Sequence, residues 1–269
     1  MKFFRPLQSF GRSVGLTLGL ALATFAAHAG TFYGTDAATG QLITISPGTA
    51  ATAAIGPASG KTLIGAAYNP NTNALYVRDF DNLYTANQST GALTLVGASG
   101  TFITALTFNA GFTALYSMNQ GNGDFYRVNP ATGAATFIGA SGMTTPLGLS
   151  TNSAGVVYAG TIGGGIYTVN LATGAATLVY ADVAGGDGLT EIAFDGSNQL
   201  YGITLGADNL IKIDLGTGGS SIVGHVPYRD VRGLAFVDAA PAVPEPETYA
   251  LMLAGLAVVG TVARRRRAT

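Results

Sequence analysis

Cysteine and tryptophan are absent from this 269-residue chain, histidine occurs twice, and charged side chains make up only 10% of it. Without cysteine there are no disulfides, no thiolate metal sites and no cysteine nucleophile. That absence does not assign a reducing compartment, because a domain of this size buries enough core to stand without covalent staples. Charge falls far below the ~25% of an ordinary soluble domain. A formal net charge of −1 excludes capture of nucleic acid by a basic surface. The distribution strengthens the exclusion. Residues 30–244 hold six basic and twelve acidic side chains, a formal −6, because Lys2, Arg5, Arg12 and Arg264 to Arg267 sit near the ends. What the chain has in plenty is glycine, 39 residues, about twice the usual share. That composition fits a helical enzyme poorly, and the length allows one large all-β domain or two smaller ones.

Both ends read as addresses. Lys2, Arg5 and Arg12 precede an apolar run from Val14 to Ala27, and Ala27-His28-Ala29 closes it. A basic region, an apolar region and an A-x-A site in that order make a secretory signal peptide over residues 1–29, cleaved after Ala29 and handled by the Sec export machinery. At the other end a Pro/Ala/Glu stretch leads into an apolar run from Tyr249 to Ala263, then Arg264, Arg265, Arg266 and Arg267. Those apolar positions span about 22 Å as a helix, short of the ~30 Å hydrocarbon core. Snorkelling arginines and local thinning close that gap. The expectation is a linker over 239–248, a short transmembrane helix over 249–263 and a cytoplasmic tail over 264–269, oriented by the arginines.

Val243-Pro244-Glu245-Pro246-Glu247, followed by a short glycine-containing apolar segment and an arginine cluster, closely resembles the PEP-CTERM sorting signal of Gram-negative bacteria. The resemblance covers about the last 28 residues. It implies an inner-membrane-anchored precursor, processed by an exosortase-type enzyme near the motif and delivered to the cell surface or extracellular matrix. Pro244, Glu245 and Pro246 would be the recognition residues and Arg264 to Arg267 the membrane stop. Such proteins belong to bacteria that make exopolysaccharide and form biofilms.

Between the addresses the chain repeats itself. Tyr33, Tyr76, Tyr116, Tyr158 and Tyr201 are spaced by 43, 40, 42 and 43 residues. Gly48, Gly91, Gly133, Gly174 and Gly218 are spaced by 43, 42, 41 and 44, so two unrelated markers give one period of about 42. Each unit holds four short runs of alternating apolar and polar residues bounded by Gly, Asn, Pro and Asp, which are strand and hairpin signals. Four strands per ~40 residues mark a propeller blade; β-helix repeats are shorter, and a sandwich would not repeat. The reading is a five-bladed β-propeller over residues 30–238. The chain enters at Thr31-Phe32-Tyr33-Gly34, the second strand of a blade, and leaves through 231–237, which matches the first strands at Thr104–Phe108 and Thr190–Phe194. Strand 231–237 is therefore expected to complete blade one and close the ring, which also removes open edges. Small residues at Gly65, Ala105, Gly148 and Gly233 fit a crowded axis.

Candidates for chemistry are few. His28 leaves with the signal peptide, and His225 has no second histidine or serine elbow beside it; a general base needs a partner in reach. Gly163-Gly164-Gly165 precedes no Lys-Ser/Thr pair and reads as a hairpin tip. Asp79-Phe80-Asp81-Asn82 is oxygen-rich but lacks the Gly and Glu of an EF-hand, so it reads as a turn, with calcium at Asp79 and Asp81 left open. Asp182, Asp187 and Glu191 cluster around one inner strand, and Glu191 takes the place that is Gly or Ala in the other blades. It is expected near the axial channel, with Asp187, Arg229, Asp230 and Arg232 around it. One reading is a structural Glu191–Arg232 pair tying blade five to blade one, since a buried carboxylate is tolerated when paired. The other is a hydrolase or lactonase site. Beyond Glu191 the inner strands and their lead-ins offer Lys61, Thr62, Thr101, Thr104 and Thr144, which make no multi-ligand constellation. The sequence reading is a non-enzymatic, exported surface or matrix protein, with no cofactor and no metal, that binds exopolysaccharide or serves as a structural module. An exported hydrolase built on Glu191 and a bare coat protein are its alternatives.

Overall fold

The structure, a computed structural model, describes residues 30–238 and, beyond them, Gly255 alone. The signal peptide with Ala27 and Ala29, the linker with Pro244, Glu245 and Pro246, the apolar run 249–263 apart from Gly255, and the arginine tail lie outside the described residues. Among the described residues no helix is long and apolar enough to cross a membrane.

Blade one takes β1 (Thr31–Asp36), β2 (Gln41–Ile45) and β3 (Thr52–Ile55), and blade two β4 (Gly65–Asn69), β5 (Ala74–Arg78), β6 (Asn82–Ala86) and β7 (Leu93–Ala98). Blade three runs β8 (Thr107–Phe108), β9 (Leu115–Met118), β10 (Asp124–Val128) and β11 (Ala135–Ala140). Blade four has β12 (Pro146–Thr151), β13 (Val157–Thr161), β14 (Ile166–Val169) and β15 (Ala176–Tyr180); blade five has β16 (Leu189–Phe194), β17 (Leu200–Thr204), β18 (Asn209–Ile213) and β19 (Ser220–His225). The last strand, β20 (Val231–Val237), pairs antiparallel with β1, giving blade one the order β20-β1-β2-β3. The expected closure is present, with Phe32 opposite Phe236 and Gly34 opposite Leu234.

Each blade has an apolar set on both faces, so the core lies between blades. Phe32 and Ile43 of blade one pack with Tyr201 and Ile203 of blade five. Leu42 and Ala235 meet Leu75 and Val77 of blade two, and the same pattern continues around the ring. Such units bury their faces only against neighbours, which is why the repeat must close.

Two rings of close approach lock the blades. Near the axis, a Cβ on Gly233 would lie 2.6 Å from Gly65 C, one on Gly65 2.4 Å from Thr104 O, and one on Gly148 2.5 Å from Ile192 N. At the outer end of each seam, a Cβ on Gly97 would lie 2.1 Å from Thr132 O and one on Gly139 2.0 Å from Thr173 O. These are the Thr-Gly turns whose spacing marks the repeat: Gly91, Gly133, Gly174 and Gly218 all take a left-handed φ and donate to the Asn or Asp four residues earlier at 2.8 Å. Blade one departs from that marker. There Ala50, with φ 57°, holds the left-handed position and donates to Ser46, so Gly48 is not the equivalent of Gly91. The Pro47-Gly48 turn displaced the sequence marker by two positions.

Candidate functional site

The inner strands run from a loop end, where one blade hands over to the next, to a hairpin end, where each turns back into its second strand. Glu191 lies near the loop end of β16, 2% exposed. Its Oε2 accepts the Gly233 N–H at 2.8 Å, and its Oε1 accepts those of Leu149 at 3.2 Å and Ile192 at 3.1 Å. One carboxylate thus joins the inner strands of blades four, five and one. Burial pushes its pKa up to about 8, against the three N–H donors and the positive field of Arg232, which favour the anion.

The expected Glu191–Arg232 pair is replaced by other partners. Arg232 Nε donates to Asp230 Oδ1 at 2.6 Å, on its own side of the seam, while the Glu191 oxygens are taken by main chain. Asp187 is also tied to main chain: Oδ1 accepts from Gly206 N at 2.9 Å and Oδ2 from Ala207 N at 3.1 Å, and with a Thr204 hydrogen bond these hold its carboxyl below the usual range. Arg229 lies exposed on the loop before β20, and its charge reaches the Asp208 carboxyl. The structure therefore brings Glu191, Asp187, Arg229 and Arg232 to one end of the ring, with Glu191, Asp187 and Arg232 each held by local hydrogen bonds.

The other sequence candidates resolve into turns. Asp79 accepts from Asp81 N at 3.0 Å, Asn82 N at 2.7 Å and the Tyr84 hydroxyl at 2.8 Å, which suits a turn-forming carboxylate. No group of three or more metal-ligating side chains occurs among the described residues. Gly163 to Gly165 form the tip between β13 and β14, with Gly164 N donating to Thr161 O at 2.9 Å. His225 closes β19 with its Nδ1 3.0 Å from Ala207 O.

Two features were missed by sequence reasoning. Arg78 is fully buried between blades two and three, donating to Asp79 O, Phe80 O and Ser99 Oγ at 3.0 Å each, while its Nη1 has no partner. Burial lowers its pKa to about 9. The second is a cavity of about 350 Å³ on the axis at the hairpin end, lined by the inner strands of all five blades. Tyr68, Asn109, Phe112, Asn152, Asp195 and Asp238 are among its walls, and among the described residues no Lys, Arg or His lines it. Asn109, Asn152 and Asp195 each cap their own hairpin, Asp195 Oδ1 accepting from Ser197 N at 2.9 Å and Gln199 N at 2.8 Å. Across the corresponding hairpins of blades two to five the left-handed residue is Asn73, Gly155 or Asn198 in three; in blade three it is Phe112, at φ 54°. A bulky residue there is strained, and such strain gathers at ligand clamps. Asn69 Nδ2 donates to Phe112 O at 3.1 Å and holds it. The signal available in sequence was the recurrence of Asn69, Asn109, Asn152 and Asp195 at the repeat spacing.

Residues 242–267 match the PEP-CTERM protein-sorting motif. The chain carries that signal on a five-bladed propeller. The motif implies export, membrane anchoring before processing, and an exosortase-type processing enzyme. No curated protein matches the chain by sequence. Among solved structures, a chain of the nidogen/laminin complex aligns with a TM-score of 0.59 at 11% identity, over 78% of this chain and 100% of that one. A streptogramin B lyase aligns at 0.47 and 12% identity, over 76% of this chain and 69% of that one. A catalytically inactive virginiamycin B lyase from Staphylococcus aureus, with quinupristin, aligns at 0.47 and 14% identity, over 78% and 74%. At these identities the nidogen/laminin likeness is one of fold, and a fold hosts many functions.

Proposed function

We propose that the chain is an exported, non-enzymatic surface or matrix protein that holds neutral exopolysaccharide in its axial cavity. The carrying observation is the cavity wall: hydroxyls, amides and aromatic rings from the five blades, with no cation among the described residues. Aromatic faces and hydrogen-bonding groups suit sugar rings, and a wall without cations beside Asp195 and Asp238 does not favour anionic ligands. The non-enzymatic reading is supported by Glu191, whose oxygens are both committed to main chain 2.8 to 3.2 Å away, so this carboxylate is not free to act as general acid or base. Cleavage after Ala29 and processing near Pro244-Glu245-Pro246 deliver residues 30 onward to the outside.

The delivery half is tested by fractionating producing cells. Wild-type protein is expected in the matrix fraction as a shortened form, whereas the Pro244→Ala/Pro246→Ala variant remains as full-length precursor in the inner membrane. Normal shortening of the variant would refute the assignment of these residues.

A further inference from the structure

The outermost strands β3, β7, β11, β15 and β19 contain no Lys, Arg, Asp or Glu, although the ring as a whole is acidic. Among the described residues each is a sheet edge with its outer side unpaired. Natural edges are usually guarded by charge, proline or bulges. Here the guard is the bulge: in blades two to five the register slips opposite Leu83/Tyr84, Phe125/Tyr126, Ile166/Tyr167 and Leu210/Ile211, and the extra residue, Val96, Ile138, Val179 or Val223, lies in the outer strand. A bulged edge discourages continuation of the sheet into a neighbour but leaves side-chain contact open.

Just before the extra residue of each bulge stands a large apolar side chain in the open. Leu95 is 59% exposed, Phe137 55%, Leu178 51% and Ile222 69%. They are equivalent in register, opposite Tyr84, Tyr126, Tyr167 and Ile211. Blade one carries Ala54 at that place, opposite Ile43. Four of the five sectors of the rim thus present the same uncharged, apolar contact, repeated by the symmetry of the ring.

Where the chain leaves the ring decides what the rim faces. Thr31 is paired with Val237, so both ends of the described segment emerge at the hairpin end of blade one, on its two inner strands. The 31 residues after Asp238 carry the sorting motif. The tail therefore departs beside the axis and not from the rim, and before processing copies are anchored to one membrane. Confinement to one surface raises the effective concentration of copies without any new contact.

We propose that the rim is a self-association surface, through which copies of this chain pack edge to edge by Leu95, Phe137, Leu178 and Ile222, with the smooth sector of blade one interrupting the pattern. The contact is between apolar side chains of two acidic rings at the sectors where neither carries charge. It does not depend on what the axial cavity binds.

The cysteine-free chain makes the test direct. Full-length protein bearing a single Leu95→Cys, Phe137→Cys, Leu178→Cys or Ile222→Cys substitution, expressed in its producing cell, is treated with a short bis-maleimide cross-linker. Covalent dimers and higher species are expected from each, and at least tenfold fewer from Thr62→Cys at the exposed loop end. A Leu95→Lys/Phe137→Lys/Leu178→Lys/Ile222→Lys variant with unchanged circular dichroism is expected to stay monomeric in light scattering where the wild type associates. Equal cross-linking at Thr62→Cys, no cross-linking at the rim, or cross-links only to other proteins would overturn the proposal. Should the fourfold variant misfold, the single-cysteine comparison still decides.

Discussion

The innermost strands bury a carboxylate and admit glycine where a methyl group would collide, whereas the outermost strands leave Leu95, Phe137, Leu178 and Ile222 in water. Both belong to the same four-stranded unit, repeated five times. The difference is one of available partners. Near the axis every strand meets the main chain of the next, so composition is dictated by room and by N–H groups. At the rim a strand touches its own ring only at the turns of the next blade, as Gly97 and Gly139 do, and its outward side chains are free to serve something outside the ring. The cavity at the hairpin end lies between these extremes, with side chains that build turns and also face an opening.

The sharpest way to break this contrast is to add one methyl group at the axis. Gly233→Ala places a Cβ 2.6 Å from Ala66 N, at a residue with φ 69°. The strain and the overlap together are expected to cost about 2–4 kcal/mol, read as a lower urea midpoint. A loss under about 1 kcal/mol would mean that the inner ring is slack.

A second test uses protons. Glu191 has a folded-state pKa raised from 4.5 to about 8, so the folded state holds a proton that the unfolded chain has released. Its contribution is fully present below about 4.5 and is lost as pH rises through about 8. Unfolding free energy of the wild type is expected to fall between these limits, and Glu191→Gln to remove that slope. The amide also turns an N–H toward main-chain N–H groups, costing about 1–3 kcal/mol in acid. A slope unchanged in Glu191→Gln would place the titration elsewhere. At the rim, Leu95→Thr is expected to change the stability of a single ring by less than about 0.5 kcal/mol.

Period, phase and closure were legible in the sequence because Tyr33 and its equivalents recur at nearly fixed spacing and because 231–237 repeats the pattern of a first strand. Glu191 was legible as an exception at a Gly or Ala position. Its partners were not: sequence suggests charge paired with charge, while the N–H groups of Leu149, Ile192 and Gly233 carry no signature in residue type. Arg78 was missed for the same reason, being held by carbonyls and a serine hydroxyl. The cavity escaped notice because Asn109, Asn152 and Asp195 read correctly as turn formers, and only the closed ring gathers them at one end.

The most direct measurement compares binding of purified matrix exopolysaccharide from the producing strain by wild type, Phe112→Asn and Glu191→Gln, while assaying the supernatant for released sugar. Asn suits the left-handed φ of position 112, so that variant is expected to fold normally yet bind at least tenfold more weakly. Glu191→Gln is expected to bind as the wild type does, and none of the three to release sugar. Unaltered binding by Phe112→Asn, or sugar release that Glu191→Gln abolishes, would contradict a binding module and restore the carboxylate as the centre of an enzyme.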